Sequence, residues 1–101
     1  MKQYEVWLVE LPENNNHVYS GTRPAVIISN DKCNEVSPVV TIVPCSSKTQ
    51  IGLPTCIRIS KSSVAHCEQI LTIPKEWLLC RLFRLDFTDN IKRGVRRQLN
   101  L

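Results

Sequence analysis

The chain has 101 residues, 43% hydrophobic and 22% charged, with 13 Lys and Arg against 9 Asp and Glu and a net charge of +4. That length makes one domain with a real core and leaves no room for a second; the composition excludes extensive disorder, and no internal repeat is visible. Apolar runs of about four residues fall far short of the roughly 20 that span a bilayer, and Met1 to Glu5 leads straight into a strand pattern without a signal-peptide core, so a soluble cytoplasmic protein is expected.

In chain order, Tyr4 to Val9 collects Tyr4, Val6, Trp7, Leu8 and Val9 and reads as a first strand. Glu10 to His17 breaks it, because Pro12 followed by three asparagines favours turns, and this loop runs on through Asn14–Thr22 to overhang Arg23. Ala25 to Ile28, four apolar residues ended by Ser29-Asn30-Asp31, reads as a strand buried on both faces. Pro24 fixes its own φ and biases Arg23 to extended backbone, so a guanidinium stands at the mouth of a core strand.

Ser29 to Pro38 is read as a connection, Val39 to Val43 as a third strand ended by Pro44, and Cys45 to Gln50 as a hydroxyl-rich loop. Thr55 to Ile59 alternates as a fourth strand and Val64 to Leu71 makes a fifth, in which Glu68 and Gln69 sit oddly among apolar neighbours. Ile73 to Leu78 predicts a short helical turn with Pro near its first position, and Leu79 to Leu85 a last strand. Asp86 is the expected cap of a C-terminal helix, with Ile91, Val95 and Leu99 as its buried stripe and Lys92, Arg93, Arg96 and Arg97 as a basic, solvated face. Short strands in meander order with a terminal helix predict a mainly β (α+β) fold, a small curved antiparallel barrel.

Five cysteines (Cys33, Cys45, Cys56, Cys67 and Cys80) are odd in number and widely spread, without CxxC, and the chain has two histidines, His17 and His66. Neither a disulfide framework nor a metal site is expected, and buried free cysteine behaves as a small hydrophobe. With no Gly-rich phosphate loop and no GxSxG elbow, and neither histidine near an evident nucleophile in sequence, most familiar enzyme classes drop out. What remains is Arg23 and the Ser46-Ser47-Lys48 loop. A guanidinium fork and a hydroxyl can hold a phosphodiester and stabilise a pentacoordinate transition state without metal, and RNA supplies its own 2′-OH as nucleophile.

The stretch Gly21-Thr22-Arg23-Pro24-Ala25-Val26-Ile27-Ile28-Ser29-Asn30-Asp31 is similar to the G-x-R-P strand of the MazF/PemK toxin family, and Val43-Pro44-Cys45-Ser46-Ser47 to its P-x-T-S turn. Leu53-Pro54-Thr55 resembles its L-P-T-H segment, and Ser63 to Ile70 with Thr72-Ile73 its S-x-x-x-x-E-Q-I-x-T-I block, in the right order over residues 4 to 99. The resemblance implies an SH3-like barrel shared with CcdB, a homodimer, and cleavage of single-stranded RNA (mRNA) without a cofactor or metal, leaving a 2′,3′-cyclic phosphate and a 5′-OH. It also implies a cognate antitoxin whose acidic C-terminal tail fills the RNA groove. Carried over by position, Arg23 and Ser46 are the catalytic pair, Ser46 standing for a threonine; Tyr19, Thr22, Ser47, Lys48 and Gln69 are the expected RNA contacts. Cys56 replaces the histidine after L-P-T, and Val18 stands where an acidic residue is common. The alternatives are a CcdB-like toxin that binds a protein target such as DNA gyrase and a non-catalytic member that only binds antitoxin.

Overall fold

Every strand pair in the sheet is antiparallel, and one long strand carries three partners. The computed structural model describes residues 1–16, 18–47 and 52–101. Among these, β1 (Glu5–Leu11), β2 (Gly21–Ile27), β3 (Val39–Ser46), β4 (Cys56–Arg58), β5 (Val64–His66), β6 (Leu71–Pro74) and β7 (Leu78–Arg84) form a sheet in the order β4-β5-β3-β2-β1-β7. The first half of β3 pairs β6 through Val39↔Pro74 to Ile42↔Leu71, and its last two residues pair β5 through Cys45↔Ala65 and Ser46↔Val64. A strand that changes partner along its length has to curve, and this one carries its tip, with Ser46, over the β4–β5 hairpin.

The apolar run of β2 is buried on both faces, as its lack of alternation requires. Val26 packs with Val6, Val43, Cys45, Ala65, Cys67, Leu85 and Ile91 on one side, whereas Ala25 and Ile27 pack with Val9, Leu11, Val40, Ile42 and Ile73 on the other. Successive strand residues point to opposite faces, so one strand serves two half-cores. Gly21 opens β2 at φ +78, a backbone that residues with a Cβ rarely adopt, where the chain turns in from the overhanging loop.

The mainly β class with a C-terminal helix is as expected, while several boundaries are not. The Ser29–Pro38 connection contains a helix, α1 (Asp31–Val36), whose Asn30 side chain accepts the Cys33 N–H at 2.8 Å. Six residues are too few for a periodic apolar stripe, which is why patterning misses it. β3 continues through Pro44 to Ser46, and the predicted fifth strand stops at His66, giving way to a 3-10 turn over Cys67–Gln69 before β6. The short turn after Pro74 is present as a second 3-10 segment, Lys75–Trp77.

The C-terminal helix α2 (Asp89–Leu99) starts three residues beyond Asp86, with Thr88 at its N-cap. Ile91 is buried and Val95 packs partly against the core, but Leu99 is exposed, so the stripe is shorter than its spacing promises. The closest approach is made by Gly94 instead, where a Cβ would meet Cys67 Sγ and Ile57 Cγ1 at 2.8 Å. On the basic face, Lys92 Nζ lies 5.6 Å from the Tyr4 ring centroid and Arg97 Nη1 donates to Pro54 O at 3.1 Å, so part of that face is spoken for within the fold. None of the described helices is long and apolar enough to cross a membrane.

Candidate active site

Three elements converge at the tip of β3. β2 presents Arg23, β3 ends on Ser46, and β5 with the turn behind it supplies His66, Glu68 and Gln69. The Arg23 Nε–H donates to Ser20 O at 2.8 Å and Nη1 reaches Cys45 O at 3.4 Å, next to Ser46. Its guanidinium carbon lies 4.5 Å from the centroid of the Tyr19 ring. Two carbonyls and an aromatic face therefore fix the cation's direction. Tyr19 is held in turn: its N–H donates to Gln69 Oε1 at 2.8 Å, and its ring centroid is 4.7 Å from that of His66.

His66 is the hub. Its Nε2 lies 2.7 Å from Ser46 Oγ and 3.1 Å from Tyr19 Oη, and its Nδ1 lies 3.3 Å from Glu68 Oε2. A carboxylate can only accept, so the Nδ1–H donates to Glu68 and leaves Nε2 as the acceptor facing the Ser46 hydroxyl; the partners assign the tautomer. Thr55 Oγ1 donates to the second carboxylate oxygen, Glu68 Oε1, at 3.3 Å. The result is a hydroxyl, an imidazole and a carboxylate in line, with a guanidinium beside them. Such a set can take a proton from a nearby hydroxyl and stabilise negative charge.

Ser46 and His66 are both buried, at 9% and 6% exposure. Cys45, one residue away, faces the core; burial there pushes its thiol up to about 12, so it is a protonated filler near neutral pH rather than a nucleophile. Cys67 is likewise pushed to about 12, first by burial and then by the charge of Glu68.

The structure thus brings Arg23, Ser46, Tyr19 and Gln69 into one cluster. Thr22 does not join it, because as the neighbour of Arg23 on a strand it points to the opposite face, where its hydroxyl donates to Glu10 across the β1–β2 pair. Ser47 follows β3 directly and is exposed, and Lys48 lies outside the described residues. His66 and Glu68 are the residues sequence reasoning missed as site members. Neither histidine stands near an evident nucleophile in sequence, and it is the pairing of β3 with β5 that sets His66 against Ser46 across 20 residues. The signal was in the sequence only as the unexplained Glu68 beside a histidine at i−2. Spacing along the chain suggests no metal ligand set, yet the fold brings Cys56 Sγ, His66 Nδ1 and a Glu68 oxygen within 4.8 Å of one another.

Known proteins resemble this chain in sequence and in fold. The chain is 31% identical over 101 residues to Endoribonuclease MazF9 of Mycobacterium tuberculosis, covering 88% of this chain and 86% of that one. It is 34% identical over 86 residues to Endoribonuclease MazF of Staphylococcus saprophyticus, covering 77% and 72%. The fold superposes on an endoribonuclease in complex with its cognate antitoxin from a mycobacterial species at a TM-score of 0.82, with 19% identity over 100% of this chain and 96% of that one. It also superposes on MazF of Deinococcus radiodurans at 0.81, with 15% identity over 100% and 97%. Residues 2–99 match the family profile described as PemK-like, MazF-like toxin of type II toxin-antitoxin system, and the chain belongs to that family.

Proposed function

We propose that the protein is the toxin of a type II toxin–antitoxin pair and a cytoplasmic endoribonuclease that cleaves single-stranded RNA by attack of the substrate's own 2′-OH, without a metal. The observation that carries the reading is the line Ser46 Oγ, His66 Nε2, His66 Nδ1, Glu68 Oε2, at 2.7 and 3.3 Å, beside a guanidinium held by carbonyls and an aromatic ring. Arg23 binds the scissile phosphate and offsets the charge that builds on its oxygens. His66, directly or through Ser46, takes the 2′-OH proton as O2′ bonds to phosphorus. The P–O5′ bond then breaks, the leaving oxygen takes a proton from water and His66 returns its proton to solvent, giving a 2′,3′-cyclic phosphate and a 5′-OH.

Beside Tyr19, a groove lined by Leu11, Val18, Leu71, Ile73 and Trp77 offers an aromatic and apolar surface for an unstacked base. The relatives named above are endoribonucleases, which does not favour the CcdB-like alternative. A similar fold solved in complex with its cognate antitoxin supports an antitoxin as partner; an acidic C-terminal tail of that partner lying in the RNA groove is part of this reading.

The test is a mixed-sequence RNA and its all-deoxy counterpart, each incubated with the protein in EDTA. Cleavage of RNA alone, lost on Arg23→Ala and Ser46→Ala, is the expected result. Because the Ser46-His66-Glu68 line also suits a serine nucleophile, cutting of the deoxy strand would replace the 2′-OH mechanism by attack from Ser46. Cutting that survives both substitutions would remove the site.

A further inference from the structure

We propose that Cys56, His66 and Glu68 form a binding site for a thiophilic divalent cation of the zinc class, and that its occupation switches the catalytic imidazole off. Cys56 and His66 face each other across the β4–β5 hairpin, Cys56↔His66, and Glu68 follows in the turn. The three donor atoms are spaced as vertices around one ion. Cys56 Sγ is 3.5 Å from His66 Nδ1, His66 Nδ1 is 3.3 Å from Glu68 Oε2, and Cys56 Sγ is 3.8 and 4.0 Å from the two Glu68 oxygens. Tetrahedral bonds of about 2.3 Å to sulfur and about 2.0–2.2 Å to nitrogen and oxygen put such donors about 3.3–3.6 Å apart. The sulfur–oxygen edge alone has to shorten, by a few tenths of an ångström.

The donor set selects the ion. Thiolate with imidazole and one carboxylate suits zinc, cobalt or copper and is a poor cage for magnesium or calcium, which prefer oxygen. The surroundings hold the ligands as metal sites require: Thr55 Oγ1 bonds the Glu68 carboxylate, and the Ser46 and Tyr19 hydroxyls fix the far nitrogen of His66. Cys56 and His66 are buried, whereas the Glu68 side chain is 25% exposed and leaves a path for the ion and for water as a fourth ligand.

The consequence follows from imidazole chemistry. A cation can bind Nδ1 only in the tautomer that carries its hydrogen on Nε2, so on binding the ring proton passes by solvent exchange from Nδ1 to Nε2 and the Cys56 thiol gives its proton to solvent. Nε2 becomes a donor to Ser46 and can no longer accept the proton of an attacking hydroxyl, while Glu68 is occupied by the metal. This second step rests on the ribonuclease reading above; the binding site itself does not.

The experiment is a cobalt(II) titration of the reduced full chain, with Cys33 and Cys80 replaced by serine to remove the exposed thiols. The expected result is a thiolate-to-cobalt charge-transfer band with tetrahedral visible bands, saturating at one cobalt per chain and displaced by zinc. Both are lost in Cys56→Ala and weakened in Glu68→Gln by at least the ~10–100-fold that even an outer partner of a ligand costs. RNA cleavage should fall with stoichiometric zinc and return with EDTA, and Cys56→Ala should cleave equally with and without zinc, which also shows that this variant folds. Absence of the band, or its persistence in Cys56→Ala, overturns the site. A Cys56-dependent band with zinc-indifferent cleavage overturns the switch and keeps the site. A Cys56-dependent band with no cleavage under any condition counts against the ribonuclease reading instead.

Discussion

The Arg23 side chain gives its Nε–H to Ser20 O and rests on the Tyr19 ring, which leaves a planar fork aimed rather than a loose charge. Lysine keeps the charge and loses the fork, the carbonyl bond and the stacking geometry. Arg23→Ala should therefore lower kcat by about 10²–10³, the effect of deleting one preorganised oxyanion donor, and Arg23→Lys should recover little of it. Single-turnover cleavage of an RNA oligonucleotide at saturating enzyme checks this; a lysine variant with near-parental rate would reduce Arg23 to a point charge. Arg23 and Ser46 were legible because each stands where an apolar strand meets polar chain, a local feature. His66 was not, because its neighbours arrive through pairing with β3 and β4, and no spacing along the chain announces a cross-strand contact.

Glu5 shows the same limit in a different role. It reads as one charge in an alternating strand, yet it is buried and its carboxylate accepts the Lys2 N–H at 2.7 Å, Trp7 Nε1–H at 3.2 Å and Arg81 Nη1–H at 3.1 Å. Burial by itself pushes this carboxyl up, but the three donors, with the N-terminal charge, outweigh it and hold it below its ordinary value. With the folded-state pKa below the unfolded one, the stabilisation is present above the unfolded value of about 4.3 and is lost as pH falls through the folded value. Glu5→Gln should cost about 1–3 kcal/mol at neutral pH by replacing a buried carboxylate's charge-assisted hydrogen bonds with weaker neutral ones, and should flatten the acid limb. Urea midpoints measured from pH 7 down to pH 3 test this; parallel curves for parent and variant would mean that Glu5 titrates alike in both states.

At the scale of elements, the long apolar strands were readable and the short pieces were not. α1 and the 3-10 turn over Cys67–Gln69 are too brief for periodicity, and they are set by a cap at Asn30 and by the bend that ends β5. The turn matters most, because it is what aims Glu68 back at His66. It is also what α2 packs against, through Gly94, so the helix braces the back of the site. A methyl at that position has to push Cys67 Sγ and Ile57 Cγ1 outward from 2.8 Å, and overpacking of this kind costs about 1–3 kcal/mol. Alanine regains about 1 kcal/mol of helix propensity, so Gly94→Ala should lose a net ~1 kcal/mol and several degrees of Tm. Helix propensity alone predicts the opposite sign, which makes the thermal melt decisive between the two effects.

At the scale of the whole molecule, the sheet ends on β7, an edge that keeps several large apolar side chains exposed. Leu79, Leu82 and Phe83 are 53%, 44% and 36% exposed, on a strand whose outer side has no strand partner among the described residues. Monomeric proteins blunt such edges with charge, proline or bulges; β7 has Arg84 exposed and shifts register against β1 at Leu79 and Leu82, while Arg81 is drawn back across β1 to Glu5. If a second copy of the chain covers this edge, a twofold contact sets β7 against β7 with the same leucines on both sides. A stable pair of this type buries roughly 1,200–2,000 Å² and draws most of its energy from a few central apolar anchors. Leu79→Lys with Leu82→Lys should therefore convert a dimer to a monomer in light scattering at micromolar concentration, with the far-UV spectrum unchanged, since both side chains are already half exposed. The charges would be tolerated if the edge stays in solvent, and a doubly substituted chain that still weighs as a dimer would move the interface to another face. The curved sheet brings Phe83 and Arg84 of β7 against Ile57 and Arg58 of β4 around one pocket, but Leu79 and Leu82 do not line it, so loss of the dimer should leave the Ser46–His66 contact intact; cleavage by the monomer would show that each chain holds a complete set of proton-transfer groups.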